Sequence, residues 1–437
     1  MSSVLRPPAL HYFLSLRVMS LASRMLASQH AKLAAVKGRD LRDPVAPTPL
    51  SFEDPQAFRV KSWWELMRAL GVFRLCSFPT LVNNCGKVMT FTRTILGKQA
   101  FAKVLRPFVY AQFVAGETEK EISESMEKMS SLGLRPMLAV PIEEDLGEST
   151  GERRYNDNLA AMLECVRMSH CNSWSKDPMM QLKITALVSP ELCVKLTCLL
   201  KEQQYDLDLL VGAMNSEAVV FPGLSDSENT HFLCGLRRLD QIGEASINKV
   251  RILVDAEYTY MNPALSLITM AMMKKFNQDD AWIWNTYQCY LKESRDLLLE
   301  AIRLSKDLSF CLGVKLVRGA YMDKERKLAD KERRTDPIHE TWEYTNNWMD
   351  ELGIDRNGGS VCFGQLLGMC DHVSLTLAQQ GFSVYKSVPY GSVDDTLPYL
   401  VRRAQENRTV LQGIRKERDL LRQEVHRRVK EKITWAK

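Results

Sequence analysis

The sequence predicts an α/β fold, a (β/α)8 barrel of the TIM type preceded by a helical arm. From residue 134 onward, short apolar runs alternate with longer amphipathic segments, as in parallel strands covered by helices. The runs are continuous rather than alternating, which indicates strands that are buried on both faces. Residues 134–406 are also long enough for such a barrel, which needs about 250 residues.

Seven apolar runs are the predicted strands. They occupy residues 136–142, 181–188, 250–256, 281–287, 311–321, 361–367 and 384–390. Helical spacing of apolar residues predicts helices over 156–168, over 264–276, over 294–307 and around Trp342. The charged stretch 322–336 is predicted to be a solvated loop or helix. An open doubly wound sheet is the alternative, but no Gly-x-Gly-x-x-Gly motif follows a strand, which argues against a Rossmann site.

Three further segments flank the predicted barrel. Residues 1–39 contain no Asp or Glu, and their arginines and lysines alternate with serines, which is typical of a mitochondrial transit segment. Leu14 and its apolar neighbours there can form one helix face, although a disordered basic tail is the alternative. Residues 40–133 are predicted to be a helical arm whose last helix ends at Gly133. Residues 407–437 are predicted to be a basic helix, on the surface or facing a membrane.

The composition excludes several classes of protein. A net charge of +5 with 25% charged residues does not require a nucleic-acid partner. The eleven cysteines contain no Cys-x-x-Cys pair, so buried thiols in a reducing compartment are favoured over disulfides. The seven histidines lack metal-site spacing, and we expect no metal. Since no run of 18 apolar residues occurs, we expect a soluble or peripheral protein.

Two adjacent arginines stand out in the segment 398–407. If this segment is helical, Tyr399, Arg402, Arg403 and Glu406 lie on one face. Neighbouring guanidinium groups repel each other unless an anion lies between them, and they match a carboxylate in a bidentate way. The pattern therefore indicates a site for a small acid, with a solvated basic helix face as the alternative.

Polar residues also occur at the predicted strand ends, where barrel enzymes carry their functional groups. Asp255 follows a buried run and needs a partner, because an unpaired buried carboxylate is costly. Lys183, in the preceding run, can supply that partner, and the pair can equally be purely structural. Lys315 and Gln288 lie in two other runs. Together these groups suit a polar cofactor and a zwitterionic substrate.

The motifs that carry these residues resemble those of the proline dehydrogenase family. They are VDAE (254–257), NTYQCYLK (285–292), KLVRGAY (315–321), GQLLGMCD (364–371) and YLVRRAQEN (399–407). The resemblance extends over roughly residues 60–425. It implies an FAD-dependent enzyme on a distorted (β/α)8 barrel, located on the matrix side of the mitochondrial inner membrane. It also implies a cyclic imino acid as substrate and ubiquinone as electron acceptor.

The resemblance assigns roles residue by residue. It implies that Arg402 and Arg403 bind the substrate carboxylate and that Tyr399 packs on the ring. It further implies that Lys183 and Asp255 pair beneath the substrate. The implied catalytic residues are Lys183, Asp255, Lys315 (near the flavin N5) and Tyr321, which lines the pocket with Leu316. The implied cofactor-binding residues are Ala256, Gln288, Lys315, Val317, Arg318, Gly319 and Glu406. The reaction removes a hydride from the ring carbon beside nitrogen, and the amine must be unprotonated for that step.

Ser387 bears on which cyclic imino acid is the substrate. In proline-specific members the position twelve residues before the tyrosine of the arginine motif is a tyrosine, and here it is Ser387. The smaller side chain leaves room for a substituent on C4 of the ring and can hydrogen-bond it, directly or through water. This pattern resembles the hydroxyproline branch of the family. L-Proline as substrate is the alternative, with neutral drift at a pocket wall as the cause of the change.

One departure puts the activity of this chain in question. The family has a strand between the helix around Trp342 and the run 361–367, and it ends in a Ser/Thr-His-Asn motif that contacts FAD. Residues 347–360 contain no strand-like segment, and the sequence has no His-Asn dipeptide. A missing parallel strand leaves two unpaired strand edges, and each buried unsatisfied group costs about 1–3 kcal/mol. We therefore expect the chain to fold poorly or to bind FAD weakly.

Two other hypotheses remain open at this stage. The first is an inactive isoform that only binds partners, which would lack flavin. The second is a barrel lyase that uses Lys183 or Lys315 as a Schiff base, which would be colourless.

Overall fold

A computed structural model of the chain describes residues 11–15, 50–142, 151–171, 174–203, 205–319, 321–341, 361–409 and 411–435. The chain divides into two compact units. Unit one comprises Met1–Ser15 and Met137–Ile354, and unit two comprises Leu16–Pro136 and Asp355–Lys437.

Eight strands are described, and seven of them overlap the seven predicted runs. The overlap is smallest for the run 181–188, of which only residues 181 and 182 lie in a strand, because the chain then enters the 3-10 helix Ile184–Ala186. In chain order they are β1 (His11–Ser15), β2 (Arg135–Ala139), β3 (Met179–Leu182), β4 (Arg251–Val254), β5 (Ile283–Gln288), β6 (Gly313–Val317), β7 (Val361–Leu366) and β8 (Val384–Pro389). The helices alternate with β2–β8 along the chain. The predicted α/β fold class is therefore confirmed.

The α-helices confirm most of the predicted ones. They are α1 (Trp63–Cys76), α2 (Pro79–Asn83), α3 (Cys85–Leu105), α4 (Ala111–Phe113), α5 (Glu119–Ser131), α6 (Glu152–Cys171), α7 (Pro190–Leu199), α8 (Leu207–Met214), α9 (Asp226–Ser246), α10 (Asn262–Phe276), α11 (Ser294–Asp307), α12 (Met322–Glu332), α13 (Asp371–Gln379), α14 (Val393–Thr409) and α15 (Leu411–Trp435). Short 3-10 helices cover Pro55–Val60 and Ile184–Ala186, and a π-turn covers Arg106–Tyr110. No helix in the described ranges is long and apolar enough to cross a membrane.

Unit one contains a parallel sheet in which β6, β5, β4 and β3 are consecutive neighbours and β2 pairs with β3. The register aligns Leu182 with Val254 and Thr286 with Lys315. The first residue of β6 is Gly313, and a larger residue would not fit there, because a Cβ would lie 2.4 Å from Trp284 Cδ1. Parallel strands end at a common edge, and this register fixes which side chains meet there.

The other edge of β6 is paired, although the sequence predicts an unpaired edge there. Strand β1 runs parallel to β6, with His11 opposite Gly313 and Leu14 opposite Leu316. Leu14 is therefore in a strand rather than on a helix face, since an extended segment can pair with the exposed backbone groups of β6. Most of the predicted transit segment lies outside the described residues. So do the helix around Trp342 and the site of the missing strand.

Unit two contains the helical arm and the pair β7–β8, in which Leu366 lies opposite Ser387. Helix α1 begins with a capping box, because Ser62 and Glu65 each accept a hydrogen bond from the other's backbone N–H. Gly133, with φ of 76°, follows α5 and is the predicted helix-terminating glycine. Val72, Phe113 and Leu400 belong to one buried apolar cluster, which packs the arm against α14.

Candidate functional site

In unit one, polar side chains gather at the carboxyl ends of β3–β6. Asp255 directly follows β4, and its backbone N–H donates to the carbonyl oxygen of Leu182 over 2.9 Å. Lys315 is buried within β6. The structure places both predicted residues at this edge.

Asp255 forms its ion pair with Lys315, whose Nζ contacts Oδ1 directly. This corrects the expectation that Lys183 is the partner: within the described ranges no ion pair joins Lys183 to Asp255. Lys183 instead precedes the 3-10 turn Ile184–Ala186, where the chain leaves the sheet. Thr286, the register partner of Lys315, donates its hydroxyl to the Val254 carbonyl over 2.6 Å. Its small side chain is thereby held on the neighbouring strand, which leaves Lys315 room to reach Asp255.

A second polar network fixes Gln288 at the end of β5. The Gln288 amide donates to the backbone oxygen of Glu257 over 2.8 Å and accepts from Asn262 over 2.8 Å. The buried Glu257 carboxylate accepts a hydrogen bond from Thr185. Sequence reasoning missed Glu257, Asn262 and Thr185. The only signal was that Glu257 belongs to the quoted VDAE motif and that Thr185 lies in a strand run.

The segment after β6 carries the remaining predicted residues of unit one. Arg318 is buried, whereas Gly319 is exposed and Val317 is partly buried. The carbonyl oxygen of Val317 accepts from the backbone N–H of Cys289 over 2.8 Å. Ala256, next to Asp255, is also partly buried. The chain thus brings a buried guanidinium and an accessible glycine to the same strand end.

Tyr321 lies at the start of α12 in an aromatic group. Its ring centroid is 4.5 Å from that of Tyr258, which stacks on Tyr260. The backbone N–H of Tyr321 donates to the hydroxyl of Tyr290 over 3.4 Å. Burial raises the pKa of Tyr290, so its hydroxyl stays neutral and can both donate and accept.

In unit two, α14 carries the predicted acid-binding residues, and the helix over 398–407 is confirmed. The Arg403 guanidinium lies 4.7 Å from the centroid of the Tyr399 ring, a cation–π contact. Arg403 is buried, while Arg402 and Tyr399 are partly buried. The alternative interpretation, in which these residues form a fully solvated basic helix face, is therefore wrong. Glu406 lies in the helix, but its side chain is outside the described part.

Ser387 is buried on β8. Its neighbour Lys386 is 1% exposed and forms an ion pair with Asp371 over 2.7 Å, and Lys61 reaches the other oxygen of Asp371 over 2.6 Å. Burial alone would raise the pKa of Asp371, but the two lysines lower it below its ordinary value. Sequence reasoning missed this triad, although Asp371 ends the motif GQLLGMCD and Lys386 lies in the predicted strand run 384–390. It anchors the strand that carries Ser387.

The described residues contain no group of three His, Cys, Asp or Glu side chains placed to hold a metal ion. Within the described ranges the cysteines are thiols that form no disulfide.

Comparison with known proteins defines the class. The sequence pattern of the family described as proline dehydrogenase matches residues 122–348 and 341–416. The chain belongs to the proline dehydrogenase family. It is therefore an oxidoreductase of the proline dehydrogenase type, whose substrate is a small imino acid. The alternative of a Schiff-base lyase is wrong.

Within this family, the chain is more similar to hydroxyproline dehydrogenases than to a proline dehydrogenase from Homo sapiens. A hydroxyproline dehydrogenase of Xenopus laevis is 51% identical over 423 residues, which cover 87% of this chain and 90% of the relative. A hydroxyproline dehydrogenase of Homo sapiens is 41% identical, with coverage of 87% and 94%. Proline dehydrogenase 1, mitochondrial, of Homo sapiens is 28% identical, with coverage of 91% and 93%.

The fold resembles that of solved proline utilization A structures. A crystal structure of proline utilization A from Bdellovibrio bacteriovorus, inactivated by N-propargylglycine, matches with a TM-score of 0.55 at 15% identity. The match covers 89% of this chain and 42% of that chain, so this chain spans less than half of its length. The likeness supports the barrel-type α/β fold that the sequence predicts.

Proposed function

We propose that this protein is an FAD-dependent dehydrogenase that oxidises trans-4-hydroxy-L-proline to 1-pyrroline-3-hydroxy-5-carboxylate and passes the electrons to ubiquinone. The hydroxyproline dehydrogenases at 51% and 41% identity support this substrate. A relative whose name includes "mitochondrial" supports a mitochondrial location. We further propose that the enzyme lies on the matrix side, in peripheral contact with the inner membrane.

The residues at the ends of β5 and β6 fit a flavin nucleotide by their chemistry. A buried guanidinium (Arg318) suits a polar or anionic cofactor, and Gly319 lets a ligand approach the backbone closely. The Gln288 carboxamide is held in one orientation by Asn262 and Glu257. We assign these residues to the cofactor, together with Ala256, Lys315, Val317 and Glu406. Bound FAD would supply the hydride acceptor.

The ion pair of Lys315 with Asp255 bears on the state of the substrate amine. A lone carboxylate near that amine would stabilise its protonated form and so oppose hydride loss. Lys315 neutralises Asp255 by direct contact. We propose that the pair keeps the local charge near zero, so that the amine can lose its proton before oxidation. In this scheme Lys183 lies at the same strand edge without pairing to Asp255, and Tyr321 lines the substrate pocket.

The substrate carboxylate is assigned to Arg402 and Arg403, and the ring to Tyr399. The contact of Arg403 with the Tyr399 ring is the observation that carries this proposal. It orients a buried guanidinium, whose planar pair of N–H donors suits a bidentate bond to a small acid. Ser387 is buried and small, and we assign it to the 4-hydroxyl group. L-Proline is the second candidate substrate, since it lacks only that hydroxyl.

The test is substitution of both arginines by methionine, which keeps the length and apolar stem of the side chains. Each charge-assisted hydrogen bond contributes about 1.5–3 kcal/mol, so the double variant should raise KM for hydroxyproline by at least about a hundredfold. The matched control is Arg422→Met, because Arg422 is exposed on α15 and bonded only loosely to Asp419. Steady-state turnover with a dye acceptor measures both. An unchanged KM in the double variant would remove the proposed carboxylate site.

A further inference from the structure

Helix α3 exposes an unusual amount of apolar surface. Within Cys85–Leu105 only Cys85 and Phe101 are buried. Phe91 and Ile95 are 67% and 65% exposed, and Val88 and Leu96 are also exposed. Val88, Phe91 and Ile95 are spaced by three and four residues, so they lie on one face of the helix. We call these three residues, together with the adjacent Leu96, the apolar face of α3.

The charged residues of the segment that contains this face are all basic. Residues 66–116 contain seven Arg and Lys and no Asp or Glu. On α3 itself Lys87 and Lys103 are exposed. Arg93 and Lys98 both reach Asp394, at 3.0 and 2.7 Å, so one acid compensates two cations there. A helix with large apolar residues, basic residues and no acid is typical of a segment that lies in the surface of an anionic bilayer.

The polar side chains of α3 are compatible with an apolar environment. The hydroxyls of Thr92 and Thr94 donate to the backbone oxygens of Val88 and Thr90, at 2.7 and 3.0 Å. Their protons are therefore satisfied within the helix and do not require water. The backbone kinks at Gly97, with φ of 74° and ψ of 161°. The kink divides the helix into two short halves, each able to lie along a surface.

We propose that the apolar face of α3 inserts into the headgroup region of an anionic phospholipid membrane. This deepens, and rests on, the peripheral membrane contact included in the proposed function. Two other occupants are disfavoured by charge. Residues 1–39 are themselves basic and acid-free, so they would meet α3 with like charge. A symmetric contact between two copies would also bring the same basic surface together.

Vesicle sedimentation of the full chain tests the proposal. The wild type should bind vesicles of phosphatidylcholine with phosphatidylglycerol more tightly than vesicles of phosphatidylcholine alone, and salt should weaken the difference. The double variant Phe91→Asn with Ile95→Asn should lose at least about tenfold in affinity for both vesicles. Lys87→Gln with Lys103→Gln should reduce only the preference for phosphatidylglycerol. Leu297→Asn is the matched control, since Leu297 is 48% exposed on α11 and should not affect binding.

Three results would overturn the proposal. They are wild-type protein that does not sediment with vesicles, a double variant that binds like wild type, and a wild-type dimer that the double variant converts to monomer. Circular dichroism establishes that each variant is folded. Turnover with the dye acceptor is measured in parallel, so failure of the proposed enzymatic function is distinguished from failure of membrane binding.

Discussion

Replacing Asp371 by asparagine removes the single carboxylate between two lysines in unit two. Lys61 and Lys386 contact it over 2.6 and 2.7 Å. The Lys386 side chain is 1% exposed and cannot reach water, whereas that of Lys61 is 14% exposed and can relax outward. One ammonium group is therefore left buried with two backbone carbonyl oxygens, those of Met369 and Leu366.

Removal of one partner from a buried ion pair costs about 3–5 kcal/mol. We expect the lower end, about 3 kcal/mol, because Lys61 can be rehydrated and the carbonyl contacts of Lys386 remain. Urea unfolding followed by circular dichroism at neutral pH measures the free energy of unfolding. The matched control is Asp419→Asn, since Asp419 is 57% exposed and 3.4 Å from Arg422, and exposed pairs contribute less than about 1 kcal/mol.

The effect should depend on pH with a definite sign. The pKa of Asp371 is lowered from its ordinary value of 3.8, so its carboxylate contributes stability above that value. The contribution is lost as pH falls through the folded-state pKa. The wild type and Asp371→Asn should therefore differ most at neutral pH and converge in acid. Equal costs for Asp371→Asn and Asp419→Asn at neutral pH would refute the reasoning.

Two further substitutions test the specificity pocket and a backbone contact. Ser387→Tyr should lower the ratio of kcat/KM for hydroxyproline to kcat/KM for proline by about ten- to a hundredfold, because the phenol fills the space for the 4-hydroxyl group. An unchanged ratio would show that Ser387 does not contact the ring substituent. Gly368→Ala should cost about 3 kcal/mol or more in unfolding free energy, since its φ is +74° and a Cβ would lie 2.0 Å from the Gln112 carbonyl oxygen. Gly381→Ala, at φ of +85° with open space around it, should cost only about 1 kcal/mol, and equal losses would contradict the packing argument.

Most of the architecture could be predicted because it depends on local pattern. Continuous apolar runs indicated β2–β8, and apolar residues spaced at about 3.6 residues indicated the helices. For the helix Ser294–Asp307 both ends were predicted correctly. Gly133 was predictable because a left-handed backbone after a helix favours glycine. These signals lie within a few residues of one another in the sequence.

The partner of Asp255 could not be predicted in this way. Lys183 directly follows β3, the strand that pairs with β4, but the chain turns into a 3-10 helix after it. The side chain that reaches Asp255 comes instead from β6. Which lysine contacts Asp255 depends on the order of the strands and on the small side chain of Thr286, which lies on β5 between Lys315 and Asp255. The position of β1 beside β6 was unpredictable for the same reason, since no sequence signal specifies pairing across some 300 residues.

The position of β1 also affects the expectation of weak cofactor binding. That expectation rests on two unpaired strand edges, and β1 pairs with one of them. The ratio of flavin to protein in a purified sample remains the test of it. The predicted domain boundaries likewise remain predictions.

The absorption spectrum of the purified protein under anaerobic conditions tests the central claim most directly. We predict a flavin spectrum that bleaches on addition of trans-4-hydroxy-L-proline, and more slowly with L-proline at the same concentration. A colourless protein, or a flavin that neither imino acid reduces, would contradict the account and favour an inactive isoform. Faster bleaching by L-proline would instead assign the chain to the proline-oxidising branch.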